Sequence, residues 1–362
     1  MIESLRIENF RCFKALELSG LRTVNVVVGE NASGKSALLE AVRIGLSGIP
    51  GVLPWINNIR GLQMILPLNP TQEQFSALWA NLFYEFNDSA KILIETKDSQ
   101  DPLSRRTMLK IFYDPTKATT TQPGLIMVPG LFPAPTTIVP LALERTDMSG
   151  EKSVLLATIS PQGSLHLEPG PELKKSAGFF GQVMFGAPHE NATWFSDLSI
   201  AKRSQEILQV LQKHFPYIQN LSTEIILGAN AVYADVPYLS KKINVVLISG
   251  GMNRLLSFIL AVVTLAKGVV LIDEIENGIF HDQLGRVWDT LVSLALQHDT
   301  QLFVSTHSYE CLRAAVPVIK KNSSDFCFLR TEKKNAQSNI AIFSGSEFGA
   351  ALEKGGEVRD RG

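Results

Sequence analysis

A short glycine-containing segment near the start of the chain restricts the fold more than any other feature. Residues 29–36 read Gly-Glu-Asn-Ala-Ser-Gly-Lys-Ser, which fits the pattern G-x-x-x-x-G-K-S. An alternating apolar run (Val24, Val26 and Val28) precedes it, and a helix-like stretch at 37–46 follows it. This strand–loop–helix order is the context that a phosphate-binding P-loop requires. The pattern therefore indicates that the chain binds a nucleoside triphosphate.

The chemistry of the loop explains this expectation. Glycines let the backbone curl until successive N–H groups point at phosphate oxygens, and the following helix adds its positive dipole end. Lys35 can reach the β- and γ-phosphates, and the hydroxyl of Ser36 can ligate Mg²⁺. The residues expected to contact ATP here are Gly29, Glu30, Asn31, Ala32, Ser33, Gly34, Lys35 and Ser36.

Composition bounds the class of protein. The chain has 362 residues, of which 45% are hydrophobic and 19% charged, enough for one large or two ordinary domains with a real core. The formal net charge of −1 gives no overall argument for a nucleic-acid or membrane partner. Three cysteines without metal-like spacing, and a start without a signal-peptide pattern, favour a soluble cytoplasmic protein.

One apolar stretch could be mistaken for a membrane span. Residues 255–266 are almost all apolar, and Val269–Ile272 continues the run after Lys267 and Gly268. The block before the Lys-Gly pair is too short to span a bilayer. It instead predicts a buried helix, a tight turn and a buried strand.

Periodicity predicts the other elements. An antiparallel hairpin is expected at 3–18, a strand at 24–28 and an amphipathic helix around 75–83. Further predicted strands lie at 91–96, 106–113, 154–159, 165–167, 243–248, 302–305, 326–330 and 340–343. Further predicted helices lie at 204–215, at 284–295 and from Tyr309 onward. Irregular segments are expected at 50–70 and 114–140, and a frayed tail at 354–362.

A second motif supplies the acids that a P-loop needs. Four apolar residues at 269–272 run directly into Asp273 and Glu274. An acid at the end of a buried strand suits the magnesium shell of a P-loop enzyme, which favours Asp273 as a metal ligand. Glu274 suits the base that orients and deprotonates the attacking water.

Two weaker motifs flank this strand. Ser249, Gly250 and Gly251 precede the apolar helix and could form a second anion-binding nest, or only an N-cap and a turn. His307 follows an apolar strand, at the carboxyl edge where ligands bind in open α/β sheets. It could equally be a structural histidine.

The order of these motifs resembles the ABC-type ATPase head of the OLD, RecF and SMC group. The opening segment 7–13, Ile-Glu-Asn-Phe-Arg-Cys-Phe, is similar to the N-F-R-x-F start of such heads. Residues 273–281 are similar to the D-E-x-E-x-G-L-H run of the OLD-like branch, with Phe280 in place of leucine. The resemblance covers about residues 1–50 and 217–320.

The resemblance implies an α/β fold: a P-loop NTPase of the ABC-type ATPase head, with an antiparallel β subdomain and an inserted mixed segment. Residues 1–50 and 217–330 would form the core, 51–216 the β subdomain and insertion, and 331–362 a terminal hairpin and polar tail.

It also implies residue roles and self-association. Ser249 and Gly250 would contact the γ-phosphate held by an opposite subunit, so that two copies pair head-to-tail on ATP·Mg²⁺. His307 would face the γ-phosphate as the switch histidine, and Arg11 would lie near the phosphates or ribose. The stretch 276–281 would occupy the D-loop at the dimer seam.

Some features depart from the family pattern. The signature reads Ile-Ser-Gly-Gly-Met at 248–252, without the usual final glutamine. Gln162 and Gln182 are both candidates for the Q-loop residue. The segment between Lys35 and Ser249 lacks sustained heptads, which excludes a long coiled coil, and no clustered acids indicate a nuclease.

The leading hypothesis is therefore a stand-alone ATPase switch in DNA repair or anti-phage defence, working with a separately encoded effector and without a membrane. One alternative is a RecF-like clamp that grips DNA through a basic groove around Lys241, Lys242 and Arg254. Another is a transporter-type ATPase subunit.

Overall fold

The computed structural model describes residues 1–46, 56–57, 60, 72–98, 101–109, 120–121, 136–137, 143–146, 152–155, 157–159, 165–167, 177–181, 188–226, 228–334 and 337–354. Its strands in chain order are β1 (Ile2–Phe10), β2 (Phe13–Ser19), β3 (Val24–Gly29), β4 (Ile92–Asp98), β5 (Asp101–Leu109), β6 (Thr120–Thr121), β7 (Thr136–Thr137), β8 (Leu143–Thr146), β9 (Lys152–Leu155), β10 (Ala157–Ile159), β11 (Leu165–Leu167), β12 (Ala177–Phe180), β13 (Asn220–Ile226), β14 (Ala229–Asp235), β15 (Ile243–Asn244), β16 (Val269–Ile272), β17 (Gln301–Thr306), β18 (Phe326–Lys334) and β19 (Gln337–Ser344).

The α-helices are α1 (Lys35–Leu46), α2 (Gln72–Ala80), α3 (Pro188–Ile200), α4 (Ser204–Gln212), α5 (Val245–Ile248), α6 (Gly250–Thr264), α7 (Leu284–Gln297), α8 (Tyr309–Lys321) and α9 (Gly345–Glu353). Short 3₁₀ turns lie at Tyr84–Phe86, His281–Gln283 and Ser323–Asp325.

A mainly parallel sheet forms the centre of the fold. Its strand order is β12-β16-β17-β3-β18-β19, and only β19, at one edge, pairs in the antiparallel sense. Strand β3, which leads into the P-loop, therefore lies between β17 and β18. Strands β3, β16 and β17 are buried along their whole length, which explains their near-continuous apolar sequences.

Successive side chains of these strands enter two separate cores. Val26, Ile272 and Val304 pack in the core that contains α6, α7 and α8. Val27 and Leu271 point to the opposite face, where α1 and the N-terminal hairpin form the second core. The two cores hold the sheet between two helical layers, which confirms the predicted α/β class.

A four-stranded antiparallel sheet covers the outer side of α1. Its order is β2-β1-β4-β5, and Ile7 of β1 pairs with Leu16 of β2 and with Ile94 of β4. Alternate residues of β1 and β2 face the core shared with α1. The hairpin predicted at 3–18 is confirmed. The sheet is antiparallel, as expected of a β subdomain, but β1 and β2 come from residues 1–50, which were predicted to belong to the core.

Most of the predicted elements in the described ranges are confirmed, including the buried helix–turn–strand at 255–272. The strand predicted at 243–248 is wrong, because only Ile243–Asn244 pair and the chain then turns into α5. The side chain of Asn244 caps that helix by accepting from Val246 N at 3.0 Å.

Several elements were not predicted at all: β12, α3, the β13–β14 hairpin and α9. The strand expected at 106–113 instead begins at Asp101, and residues 110–113 lie outside the described ranges. Gln162, Gln182, nearly all of the irregular segments at 50–70 and 114–140, and the tail beyond residue 354 also lie outside them.

The predicted domain boundaries stay a prediction, although strand pairing bears on them. Strand β12, within the segment 51–216, pairs in parallel with β16 in the central sheet. Strand β18 continues past residue 330 while pairing with β3. Elements from all three predicted parts thus contribute to one sheet. Within the described part of the chain, no helix combines the length and the hydropathy needed to cross a membrane.

Candidate nucleotide-hydrolysis site

The candidate site lies where parallel strands of the central sheet end. Val28 pairs with Thr306, Gly29 with Thr331, and Ile272 with Val304. Because parallel strands present their carboxyl ends at one edge, this register brings together the P-loop after β3, the two acids after β16 and the histidine after β17.

The P-loop backbone requires its glycines. Gly29 has φ +142° and Gly34 φ +112°, which side chains rarely adopt. Space is also short, because a Cβ on Gly29 would lie 2.3 Å from Thr331 Oγ1, and one on Gly34 would lie 2.8 Å from Cys12 Sγ. Ala32 takes the left-handed region at φ 60°. The curled loop thus needs glycine for both conformation and close packing.

Side chains hold this loop in place. Ser33 Oγ donates to Glu30 O at 2.6 Å and lies 2.5 Å from Thr331 Oγ1 on the neighbouring strand. Lys35 Nζ folds back over the loop and donates to the carbonyl oxygens of Gly29 and Glu30, each at 2.7 Å. Burial lowers the pKa of Lys35. Ser36 lies in the first turn of α1 and is half-buried.

One serine, to which the sequence motifs assign no role in ATP hydrolysis, fixes both acids after β16. Ser305 Oγ donates to Asp273 Oδ1 at 2.5 Å and accepts from Glu274 N at 2.9 Å. Arg254, buried in α6, donates from Nη2 to the carbonyl oxygens of Asp273 at 3.0 Å and Glu274 at 2.8 Å. The backbone that carries the acids is therefore held from both sides.

Glu274 combines a strained backbone with a partly buried carboxylate. Its backbone lies in the left-handed region at φ 53°, a strained conformation that is typical of functional sites. Burial raises the pKa of its carboxyl above the ordinary value of 4.5, which strengthens it as a proton acceptor. Asn277 Nδ2 donates to Oε2 at 3.0 Å, and His307 Nδ1 lies 3.5 Å from Oε1.

Glu276, which the resemblance placed at a dimer seam, directs its carboxylate into its own subunit. Its Oε1 accepts from Thr306 Oγ1 at 2.8 Å, from His307 N at 3.1 Å and from Ser308 N at 3.2 Å. The same oxygen lies 3.4 Å from His307 Nδ1. No sequence motif indicated this arrangement, because the contact joins loops about thirty residues apart.

A cleft of about 760 Å³ brings the P-loop and Glu274 together; among the described residues, its lining does not include Asp273, Glu276 or His307. It is lined by Arg11, Cys12, Asn31, Ala32, Gly34, Lys35, Ser36, Ala37, Arg60, Asn81, Phe83, Glu85, Phe86, Glu274 and Lys333. Phe86 is 72% exposed on a turn in which it and Glu85 both have positive φ. Neither Phe86 nor Arg60 was among the residues selected from the sequence.

Arg11 lines this cleft but is already engaged. Its Nε donates to Glu40 Oε2 at 2.9 Å and its Nη1 to Asn81 O at 3.2 Å. Arg60 Nε donates to the other carboxylate oxygen of Glu40 at 2.6 Å. Burial lowers the pKa of Arg11, and Glu40 opposes that shift. A contact between Arg11 and a nucleotide stays a prediction.

The signature residues lie in a different cleft. Ser249 caps α6 by accepting from Met252 N at 3.4 Å. Among the described residues, Ser249 lines a cleft of about 130 Å³ that it shares with Gly278 and Phe280, and it is not part of the lining around Lys35. A Cβ on Gly251 would lie 2.5 Å from Gly278 O, so the signature helix and the loop after β16 touch closely.

The prediction that Arg254 lines a basic DNA-binding groove is wrong. Arg254 is 1% exposed and bonds to the backbone of Asp273 and Glu274, which leaves it unable to reach a phosphate backbone. Lys242 Nζ is paired with Glu224 Oε1 at 2.8 Å. Lys241 is exposed.

A central parallel sheet, a glycine-dependent P-loop after β3 and an acid pair after β16, two strands away in the sheet, together define a P-loop ATPase. The chain belongs to the AAA ATPase domain family, whose model matches residues 1–226. The acids, the signature segment and His307 all lie beyond the matched residues.

The chain is also similar to individual proteins. The "ATP/GTP phosphatase" of Helicobacter pylori is 23% identical over 356 residues, covering 89% of each chain. The "DNA replication and repair protein RecF" of an Exiguobacterium species is 42% identical over 43 residues, or 12% of each chain. A solved SMC head bound to the C-winged helix domain of ScpA covers 95% of this chain and 97% of its own, with 16% identity and a TM-score of 0.48.

Proposed function

We propose that the chain hydrolyses ATP with Glu274 as the general base and uses the reaction as a conformational switch. One observation carries this proposal: Glu274, with a raised pKa, lines the same cleft as Lys35 and Ser36. A carboxylate beside a phosphate-binding loop can accept the proton of a water that attacks the γ-phosphate. The relative named as an ATP/GTP phosphatase supports a hydrolytic reaction.

Each side chain has a role in this scheme. Lys35 binds the β- and γ-phosphates and neutralises their charge. Glu274 orients the water and takes its proton, and His307, 3.5 Å from Glu274, donates a hydrogen bond toward the γ-phosphate. Because catalysis of phosphoryl transfer is mainly positioning and charge stabilisation, the rigid loop backbone described above favours the reaction.

The oxygen donors nearby fit a magnesium ion. Asp273 offers a buried carboxylate and Ser36 a half-buried hydroxyl, and hard oxygen ligands of this kind are those that Mg²⁺ prefers. When bound, Mg²⁺ neutralises charge on the β- and γ-phosphate oxygens. Ser305 orients the carboxylate of Asp273 through its 2.5 Å hydrogen bond.

We also propose that Ser249 and Gly250 complete the site of a second copy, paired head-to-tail. Ser249 opens into a cleft other than that of Lys35, which favours a contact with nucleotide on another subunit. Exposed apolar side chains accompany it: Phe280, 63% exposed, lines the same cleft, and Leu247, two residues before Ser249, is 75% exposed. Burial of this apolar area on dimerisation would favour association.

The test uses Glu274→Gln, which keeps the shape of the side chain and removes the base. We expect this variant to bind ATP, to lose hydrolysis by about 100-fold or more, and to accumulate as a dimer with ATP in light scattering. Glu17→Gln is the matched control, because Glu17 is exposed on β2. Hydrolysis by Glu274→Gln at the rate of the control would refute the role of the base, and a monomer with bound ATP would refute the dimer.

The biological setting stays a prediction. Work in DNA repair or anti-phage defence with a separately encoded effector would be supported by capture of one effector protein from the native host only with ATP-trapped Glu274→Gln. The short RecF match is compatible with DNA-linked work, but the burial of Arg254 removes one cation from the proposed DNA groove.

A further inference from the structure

One carboxylate oxygen joins the two loops that carry the proposed catalytic groups. Oε1 of Glu276, in the loop after β16, accepts three hydrogen bonds from the last residue of β17 and the loop that follows it. The donors are Thr306 Oγ1 and the backbone N–H groups of His307 and Ser308, at 2.8, 3.1 and 3.2 Å. Three donors on one carboxylate oxygen form a directional anchor.

The anchor joins a mostly buried carboxylate to an exposed histidine. The side chain of Glu276 is 13% exposed, whereas that of His307 is 45% exposed. An exposed histidine on a loop has many accessible rotamers, and its backbone N–H contact to Glu276 and the 3.4 Å approach of Nδ1 to the same oxygen restrict it, together with the 3.5 Å approach of Nδ1 to Glu274. The anchor thus acts on the position of the loop and on the orientation of the imidazole together.

Burial of the Glu276 carboxylate costs free energy, which argues against a purely stabilising role. Oε2 of Glu276 is buried and has no hydrogen-bond partner among the described residues. Such an orphaned oxygen costs free energy, and unsatisfied groups that persist in native structures are typical of functional sites. The buried oxygen of Glu276, unpaired among the described residues, thus lies where the loops of Glu274 and His307 meet, and its free-energy cost indicates a functional role.

We propose that Glu276 is a positioning residue that holds His307 in register with Glu274 for hydrolysis. The inference rests on the proposed function, since it assigns Glu276 to the same site. Its Oε1 fixes the start of the loop after β17, while Ser305, one residue before Thr306, fixes Asp273 and Glu274. Hydrogen bonds therefore join the two segments at two places: Ser305 contacts both acids, and Glu276 contacts residues 306–308. Loss of the Glu276 side chain removes the second set of contacts, which hold His307, and leaves those of Ser305 in place.

The test compares Glu276→Ala with Glu276→Gln in steady-state ATP hydrolysis. Because small misplacements of catalytic groups cost up to about 100-fold, we expect Glu276→Ala to lower kcat by about 10- to 100-fold. KM for ATP should change by less than about threefold, because Lys35 and the P-loop are untouched. Glu276→Gln keeps an acceptor oxygen at the position of Oε1 and should recover kcat to within about fivefold of wild type.

Several outcomes would overturn the proposal. Wild-type kcat in Glu276→Ala would do so, as would a Gln variant as impaired as the Ala variant. A matched loss of kcat and nucleotide binding, with a lowered unfolding midpoint, would show a merely structural role. If Glu276→Ala does not fold, Glu276→Asp replaces it, because the shorter side chain withdraws the carboxylate by one methylene; the same kcat loss at constant KM is expected.

Failure of the proposed function would look different. If Glu274→Gln hydrolyses ATP as well as wild type, the base is wrongly assigned whatever Glu276 does. If Glu274→Gln is inactive while Glu276→Ala is fully active, the site stands and only the positioning role fails.

Discussion

Two adjacent glycines at the start of α6 should respond in opposite ways to the same substitution. A Cβ on Gly251 would lie 2.5 Å from Gly278 O, a backbone atom that cannot rotate away. A Cβ on Gly250 would meet nothing within 4 Å. Neither glycine has a positive φ, so alanine is compatible with the backbone at both positions.

The magnitude follows from this packing. Forcing a methyl group into a filled contact typically costs about 1–3 kcal/mol, so we expect Gly251→Ala to lower the free energy of unfolding by about 2 kcal/mol. Gly250→Ala adds a helix-favouring residue in open space and should raise it by up to about 1 kcal/mol. The expected difference between the variants is therefore about 2–3 kcal/mol.

Urea unfolding without nucleotide, followed by circular dichroism, measures this difference as a shift in midpoint. The nucleotide is left out because Gly250 is itself a proposed nucleotide contact, and ligand binding would shift the apparent stability. Equal midpoints for the two variants, or a less stable Gly250→Ala, would refute the close contact between the signature helix and the loop after β16.

Two further predictions concern charged groups. Because burial raises the pKa of Glu274 above 4.5 in the free protein and the base must be ionised, kcat/KM for ATP should fall as pH decreases through a midpoint above 4.5; a profile of kcat/KM that is flat down to pH 4.5 would contradict this. Glu40 is 1% exposed between Arg11 and Arg60, so Glu40→Ala leaves buried positive charge uncompensated. It should lower the free energy of unfolding by about 3 kcal/mol, measured by urea unfolding against Glu17→Ala, and a loss equal to that control would contradict the reasoning.

The sequence predicts correctly those elements that depend on a few consecutive residues. The strand into the P-loop, the glycines at 29 and 34 and the apolar strand before Asp273 are each contained in a few consecutive residues. The segment 243–248 was misassigned because a run of Ile and Val fits a buried strand and a short helix equally well. There the cap formed by Asn244 decided in favour of the helix.

Other elements were missed because pairing over long distances defines them. Strand β12 has only four residues, and it is a strand because β16, about ninety residues later, offers an unpaired edge. Arg254 looked like a surface cation in the sequence, yet its neighbours in α6 bury it beside the backbone of Asp273. Neither the strand propensity of a segment nor the charge of a residue reveals which distant residues will pack against it.

The sequence by itself determined the P-loop, the acid pair and the order of the motifs, because covalent spacing and glycine conformation act between near neighbours. Only the tertiary structure decided which side chains hold those groups: Ser305 on both acids, Thr331 on the P-loop and Glu276 on the loop of His307. Each of these contacts joins residues about thirty to three hundred positions apart. It exists because the parallel strands bring their carboxyl ends to one edge of the sheet, where short polar side chains reach across from strand to strand.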